Sequence, residues 1–147
     1  MNDDIYFLDV NVPMYAAGAE HPNRAACVWV MTAVAHGILN ALVDAEIVQE
    51  IYHRYGALNQ WAAADKMASS LLRLLPPVLP VTQADVTQMM ALARKYGPTE
   101  NIPARDLLHA AVMQYNGITT IISTDRHFDR IEEVVCLHPQ EAMERFR

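Results

Sequence analysis

The 147 residues suffice for one domain with a substantial core, and 52% hydrophobic against 19% charged residues excludes a disordered chain. The formal net charge of −6 excludes a uniformly basic surface of the kind that coats nucleic acid, leaving positive charge only in local patches around Arg24, Arg54, Arg73, Arg94, Arg105, Arg126 and Arg130 and the two lysines, Lys66 and Lys95. Cys27 and Cys136 lie far apart without C-x-x-C spacing, which excludes a disulfide framework or zinc knot, and the lack of a basic leader or of an apolar run near about 18 residues predicts a soluble, cytoplasmic protein with no membrane span.

Ile5 to Leu8 is a short apolar run that predicts a strand ending at Asp9. Residues 10–17 predict a short helix with Pro13 in its first turn, and residues 22–35 a second one before Gly37. Residues 38–43 read as a strand, after which Asp44 caps a helix that passes through Glu46 and Glu50 and stops at Gly56. Residues 58–75 carry Leu58, Trp61, Met67, Leu71 and Leu74 near helical spacing, and Pro76 with Pro77 ends that run. A strand is predicted over 78–81, then a helix over 83–96 with Thr82 as N-cap and Asp85 in its first turn. Residues 97–101 read as a loop, and Pro103 suits the first position of a helix that closes at Gly117. A strand up to Thr124, a helical turn through Phe128, a strand over 134–137 and a helix from Pro139 complete the chain. Strands alternating with helices predict a mainly parallel sheet in a three-layer α/β/α sandwich, one domain over residues 1–147.

Acids stand where this pattern turns from strand or loop into helix: Asp9, Glu50, Asp106 and Asp125. Asp9 and Asp125 each end a predicted buried strand, and in open α/β sheets the carboxyl ends of strands line the ligand crevice. Carboxylates about 6 Å apart repel by roughly 2–3 kcal/mol per pair at an effective dielectric near 20. A hard divalent cation removes that repulsion, and ligation by oxygen alone points to Mg²⁺ or Mn²⁺. The chain has no G-x-S-x-G elbow, Walker A loop or H-E-x-x-H pair to suggest other chemistry.

Four strings in order, Phe7-Leu8-Asp9-Val10-Asn11-Val12, Val48-Gln49-Glu50-Ile51, Arg105-Asp106-Leu107-Leu108-His109-Ala110-Ala111 and Ile122-Ser123-Thr124-Asp125-Arg126-His127-Phe128, resemble the successive signatures of the PIN domain. The compact size resembles the VapC-type toxins of toxin–antitoxin pairs. The resemblance implies that Asp9, Glu50, Asp106 and Asp125 hold the metal, with Asn11 and Ser123 as polar companions. Asp129, four residues beyond Asp125, is a further ligand or a supporting acid, or else a surface acid beside Arg126 and Arg130. The implied reaction is hydrolysis of RNA phosphodiester bonds by metal-activated water, leaving 5′-phosphate and 3′-hydroxyl ends. Implied partners are an antitoxin whose peptide covers the cleft and a second copy of the chain in a homodimer. A housekeeping PIN nuclease of RNA processing and a non-catalytic binding module are the alternative readings.

Arg105 and Arg126, each adjacent to a proposed ligand, are the expected phosphate contacts. The six histidines show no ligand spacing; His109 follows Asp106 by three residues, but a packing or surface role is expected for it. Trp29 and Trp61 are assigned to the core or an interface, and both cysteines to packing.

Overall fold

Alternation along the first strand sets the layers. In the structure, a computed structural model that describes residues 4–147, strand β1 is Ile5–Leu8. Tyr6 and Leu8 point into one core and Phe7 into another, as the two-residue repeat of a strand requires. Strand β3, Thr120–Ile122, divides likewise: Ile122 joins the first core and Ile121 the second. With β2 (Asn40–Leu42) and β4 (Val135–Leu137) these form an all-parallel sheet in the order β2-β1-β3-β4.

Helices cover both faces, giving the expected three-layer α/β/α architecture. The first core is closed by α1 (Asn11–Ala17), α2 (Arg24–Ala35), α3 (Glu46–Ala57), α4 (Trp61–Leu74) and α7 (Pro139–Phe146). Against the second pack α5 (Gln83–Glu100), α6 (Ala104–Tyr115) and the 3-10 turn Arg126–Arg130, through Leu92, Tyr96, Leu107, Met113 and Phe128. Because β1 and β3 are central neighbours, their carboxyl ends lie side by side; the Asp9 N–H donates to the Ile122 carbonyl at 3.1 Å. Ala110 and Ala111, both buried, let α6 lie close beneath that edge.

Several local expectations hold to the residue. Thr82 and Asp85 form a reciprocal capping box at the start of α5, and Pro139 opens α7. Others are overridden. The segment 78–81 makes only one parallel bridge, Leu79 to Asp44, because Pro77 and Pro80 have no N–H with which to extend a ladder. The loop expected at 97–101 is mostly helix: α5 continues through Gly97 and Pro98, and Asn101, with φ of 51°, provides the left-handed stop. Gly56 lies inside α3 rather than ending it. A Cβ there would come within 2.8 Å of the Trp61 ring, so the glycine is what lets that half-exposed indole lie on α3. Pro103 takes the N-cap position of α6 rather than its first turn. Among the described residues, no helix is long and apolar enough to cross a membrane.

Candidate metal centre

Asp9, at the end of β1, is held at both oxygens. Its Oδ1 accepts from the Val10 N–H at 2.8 Å, and its Oδ2 accepts from the Ser123 hydroxyl at 2.6 Å and the Asn11 amide at 3.1 Å. Asn11 Oδ1 in turn accepts from the Thr124 N–H at 3.2 Å, while Ser123 Oγ accepts from the Asp125 N–H at 2.9 Å. Asn11 and Ser123 thus lock the ends of β1 and β3 together and give Asp9 a single orientation. Asp125 Oδ1 accepts from the His127 N–H at 2.9 Å, starting the 3-10 turn. Glu50 projects from α3 and Asp106 from the first turn of α6, and both are buried.

The ligand atoms fall into two groups, each with all members within 4.8 Å of one another: Asp9, Glu50 and His109, all buried, and Asp106, Asp125 and His127, more open. The groups are electrostatically one site. Burial, and then the negative charges of Asp9, Asp125 and Glu50, push the Asp106 carboxyl up to about 6 against the partial relief given by His109. Burial also raises Asp9, with Glu50 adding to it and His109 and the Ser123 hydrogen bond opposing it. Burial and like charge thus favour the protonated forms of both carboxyls, and a nearby cation would favour their ionised forms. The carboxylate oxygens of Asp9, Glu50, Asp106 and Asp125 form a donor set that fits a hard divalent cation, while both nitrogens of His109 are taken up by carboxylates.

The PIN-domain family model matches residues 6–134 of this chain. The chain belongs to the PIN-domain family. Ribonuclease VapC13 of Mycobacterium tuberculosis is 34% identical to this PIN domain over 122 residues, 83% of this chain and 91% of the relative. Ribonuclease VapC7 of the same organism is 30% identical over 140 residues, 92% of each chain. Among solved structures, the Rickettsia felis VapBC2 complex with promoter DNA superposes with a TM-score of 0.69 at 17% identity, covering 91% of this chain and 98% of the other. FitAcB of Neisseria gonorrhoeae gives 0.67 at 20% identity, covering 92% and 98%. These likenesses show the fold.

Within this PIN domain the remaining residues named from sequence are placed as follows. Asp129 lies outside both groups, half-exposed and 3.7 Å from Arg126. Arg105 Nε is 3.6 Å from Glu50 Oε2, and Arg126 is engaged by Glu141 at 2.7 Å. His109 is the main correction: it is neither at the surface nor packed only among apolar groups, but buried between Asp44 and Glu50. Burial alone would depress its pKa, but the hydrogen bonds and charges of those two carboxylates prevail and hold it well above 6.5. Asp44 does not cap α3, whose N-cap is Ala45 with no side-chain bond; its carboxylate is turned inward to His109. His127 Nδ1 lies 2.9 Å from Asp125 Oδ2 without hydrogen-bond alignment, and 3.8 Å from Asp106. The available signal for His109 was its spacing of three from Asp106, which on a helix gives a shared face.

Proposed function

We propose that this PIN domain is a VapC-type endoribonuclease that hydrolyses RNA phosphodiester bonds with Mg²⁺ or Mn²⁺, and that it is the toxin of a toxin–antitoxin pair. The observation that carries the reading is the convergence of Asp9, Glu50, Asp106 and Asp125 at the carboxyl edge of the sheet, in a chain that aligns over most of its length with proteins named ribonuclease VapC.

In this reading those four acids hold the cation. The chemistry supplied by a bound divalent cation is a lowered pKa for coordinated water and stabilisation of charge on the phosphoryl oxygens. Asn11 and Ser123 keep Asp9 from rotating. Substrate approaches Asp125 through a cleft of about 520 Å³ lined also by Asn11, Tyr15, Arg54, Thr124 and Arg126. Among the described residues Arg54 has no ion-pair partner, so its guanidinium is available to a phosphate, whereas Arg105 and Arg126 must first leave carboxylates.

An antitoxin partner is supported by the naming of VapBC and FitAB complexes among the structural neighbours. It is also supported by an apolar groove of about 450 Å³, lined by Pro13, Met31, Met67, Leu71 and Leu74, that suits the apolar side chains of an amphipathic segment. The homodimer remains part of the same proposal. The test is cleavage of a labelled structured RNA by purified protein and its Asp9→Asn variant in EDTA, Mg²⁺ or Mn²⁺. Wild-type cleavage that requires metal and leaves 5′-phosphate ends supports the reading; equal cleavage by the variant, or cleavage in EDTA, overturns it.

A further inference from the structure

Asp44 follows β2 as Asp9 follows β1, but it belongs to neither group of candidate ligand atoms. It is fully buried, and its Oδ2 accepts from His109 Nδ1–H at 2.6 Å, linking chain positions 65 residues apart. That bond orients the imidazole so that Nε2 meets Glu50 Oε1 in a second hydrogen bond. The Phe7 ring, 5.2 Å away between centroids, packs against the imidazole. Glu50 is itself buried, and its other oxygen faces Arg105 from the solvent side. A glutamate side chain otherwise loses considerable rotamer freedom on being fixed; here the bond to His109, backed by Asp44, fixes it.

Fold stability does not explain this chain of polar groups. Asp44 Oδ1 is buried without a hydrogen-bond partner, and buried ionic groups can often be replaced by apolar ones without loss of stability. Carboxylates that ligate a metal are, in contrast, usually held by hydrogen bonds from groups behind them, and removing such a support typically weakens metal binding or activity by about 10- to 100-fold. We infer that Asp44 and His109 are positioning residues that hold the Glu50 carboxylate in one orientation for the divalent cation. The inference rests on the metal-dependent reading above.

Calorimetric titration of the RNA-free protein with Mn²⁺ tests it. His109→Asn leaves an amide near the Nδ1 position, facing Asp44 but too short to reach Glu50; His109→Gln places an amide near the Nε2 position. His109→Asn and Asp44→Asn are expected to weaken Mn²⁺ binding by roughly 10- to 100-fold, and His109→Gln to recover most of that loss. The kcat for RNA should fall in the same order with KM for RNA unchanged, a split that loosened packing alone would not produce. Melting in EDTA establishes that each variant is folded. A further measurement uses the wild type, and so stands even if His109→Asn fails to fold: in EDTA, proton NMR should show both His109 ring N–H signals downfield and protected from exchange.

Undiminished Mn²⁺ affinity in folded His109→Asn would overturn the inference, as would a His109 ring N–H open to solvent exchange. Nitrogen hyperfine coupling from His109 to bound Mn²⁺ would also overturn it, by making the residue a ligand. Failure of the underlying reading looks different. A wild type that neither binds Mn²⁺ nor cleaves RNA removes both ideas, whereas a wild type and His109→Asn that bind and cleave equally remove the positioning role alone.

Discussion

The two halves of the acidic site contain the same residue types, two carboxylates and a histidine, yet they are built differently. In the inner half, Asp9, Glu50 and His109 are all but inaccessible, and each is fixed by hydrogen bonds to groups on other elements. In the outer half, Asp125 and His127 are partly exposed, and His127 meets Asp125 by proximity without hydrogen-bond alignment. Burial makes each contact in the inner half strong and each missing contact costly, while solvent screens the outer half. The inner half is therefore preorganised, and the outer half is the side open to water.

The largest expected effect comes from breaking the inner half at its centre. Asp9→Asn replaces the proposed ligand that three donors orient. Losing several kcal/mol of transition-state charge stabilisation lowers the rate by roughly a thousandfold or more. RNA cleavage assayed at saturating Mn²⁺ checks this; a variant within tenfold of wild type would remove Asp9 from the site.

Next in size is the dependence of metal-free stability on pH. Asp106 sits at about 6 against an ordinary 3.8, raised by burial and by neighbouring negative charge. A carboxyl raised in the folded state favours folding in its protonated form, so its contribution is complete below about pH 4 and is lost as pH rises through 6. Two pKa units correspond to about 3 kcal/mol. Asp9 shifts in the same direction. His109, also raised, contributes fully at all pH below 6.5 and loses that contribution only as pH climbs through its own higher folded value, so between pH 4 and 6.5 the loss comes from the carboxyls, opposed in part by His138, whose folded value burial lowers. In EDTA the protein should lose stability across that interval, Asp106→Asn should show a shallower loss, and Mn²⁺ should reverse the loss above pH 6. Denaturant titrations at each pH measure it, and a flat wild-type profile contradicts it.

Ser123→Ala comes third. It removes the shortest donor to Asp9 and the acceptor of the Asp125 N–H, and a buried hydrogen bond to a charged group is worth about 2 kcal/mol. The loss should appear in EDTA melts and shrink when Mn²⁺ is added, because the cation compensates the freed Asp9 oxygen. An equal loss with and without metal would mean that Ser123 acts only as a bracket between β1 and β3.

These residues also show what a sequence can carry. Asp9 and Asp125 are legible because each ends a short apolar strand, Ser123 through the resemblance of its string to the PIN domain, and the capping of α5 and the start of α7 because their signals lie within four residues. Asp44 and His109 are not, since a helix cap and a buried hydrogen-bond acceptor look alike until the partner 65 positions away is brought alongside. The segment around Leu79 fails for a related reason: β-branched residues predict a strand, and the flanking prolines decide how much of a ladder can form.

The smallest effect tests the contrast between the halves most directly, because it compares one residue type in two settings. His127 is 40% exposed by side chain, and Asp125, the carboxylate nearer to it, remains within reach of water and counterions, while buried Asp106 lies 3.8 Å off. Replacing it by Gln removes a screened interaction, for which a change within about 0.5 kcal/mol is expected. Melts in EDTA should therefore barely separate His127→Gln from wild type, and Mn²⁺ affinity should change by only a few fold. His109→Asn, in the buried setting, should lose far more affinity than that. If His127→Gln instead loses as much as His109→Asn, the outer histidine is as firmly engaged as the inner one, and the division into a preorganised half and an open half is wrong.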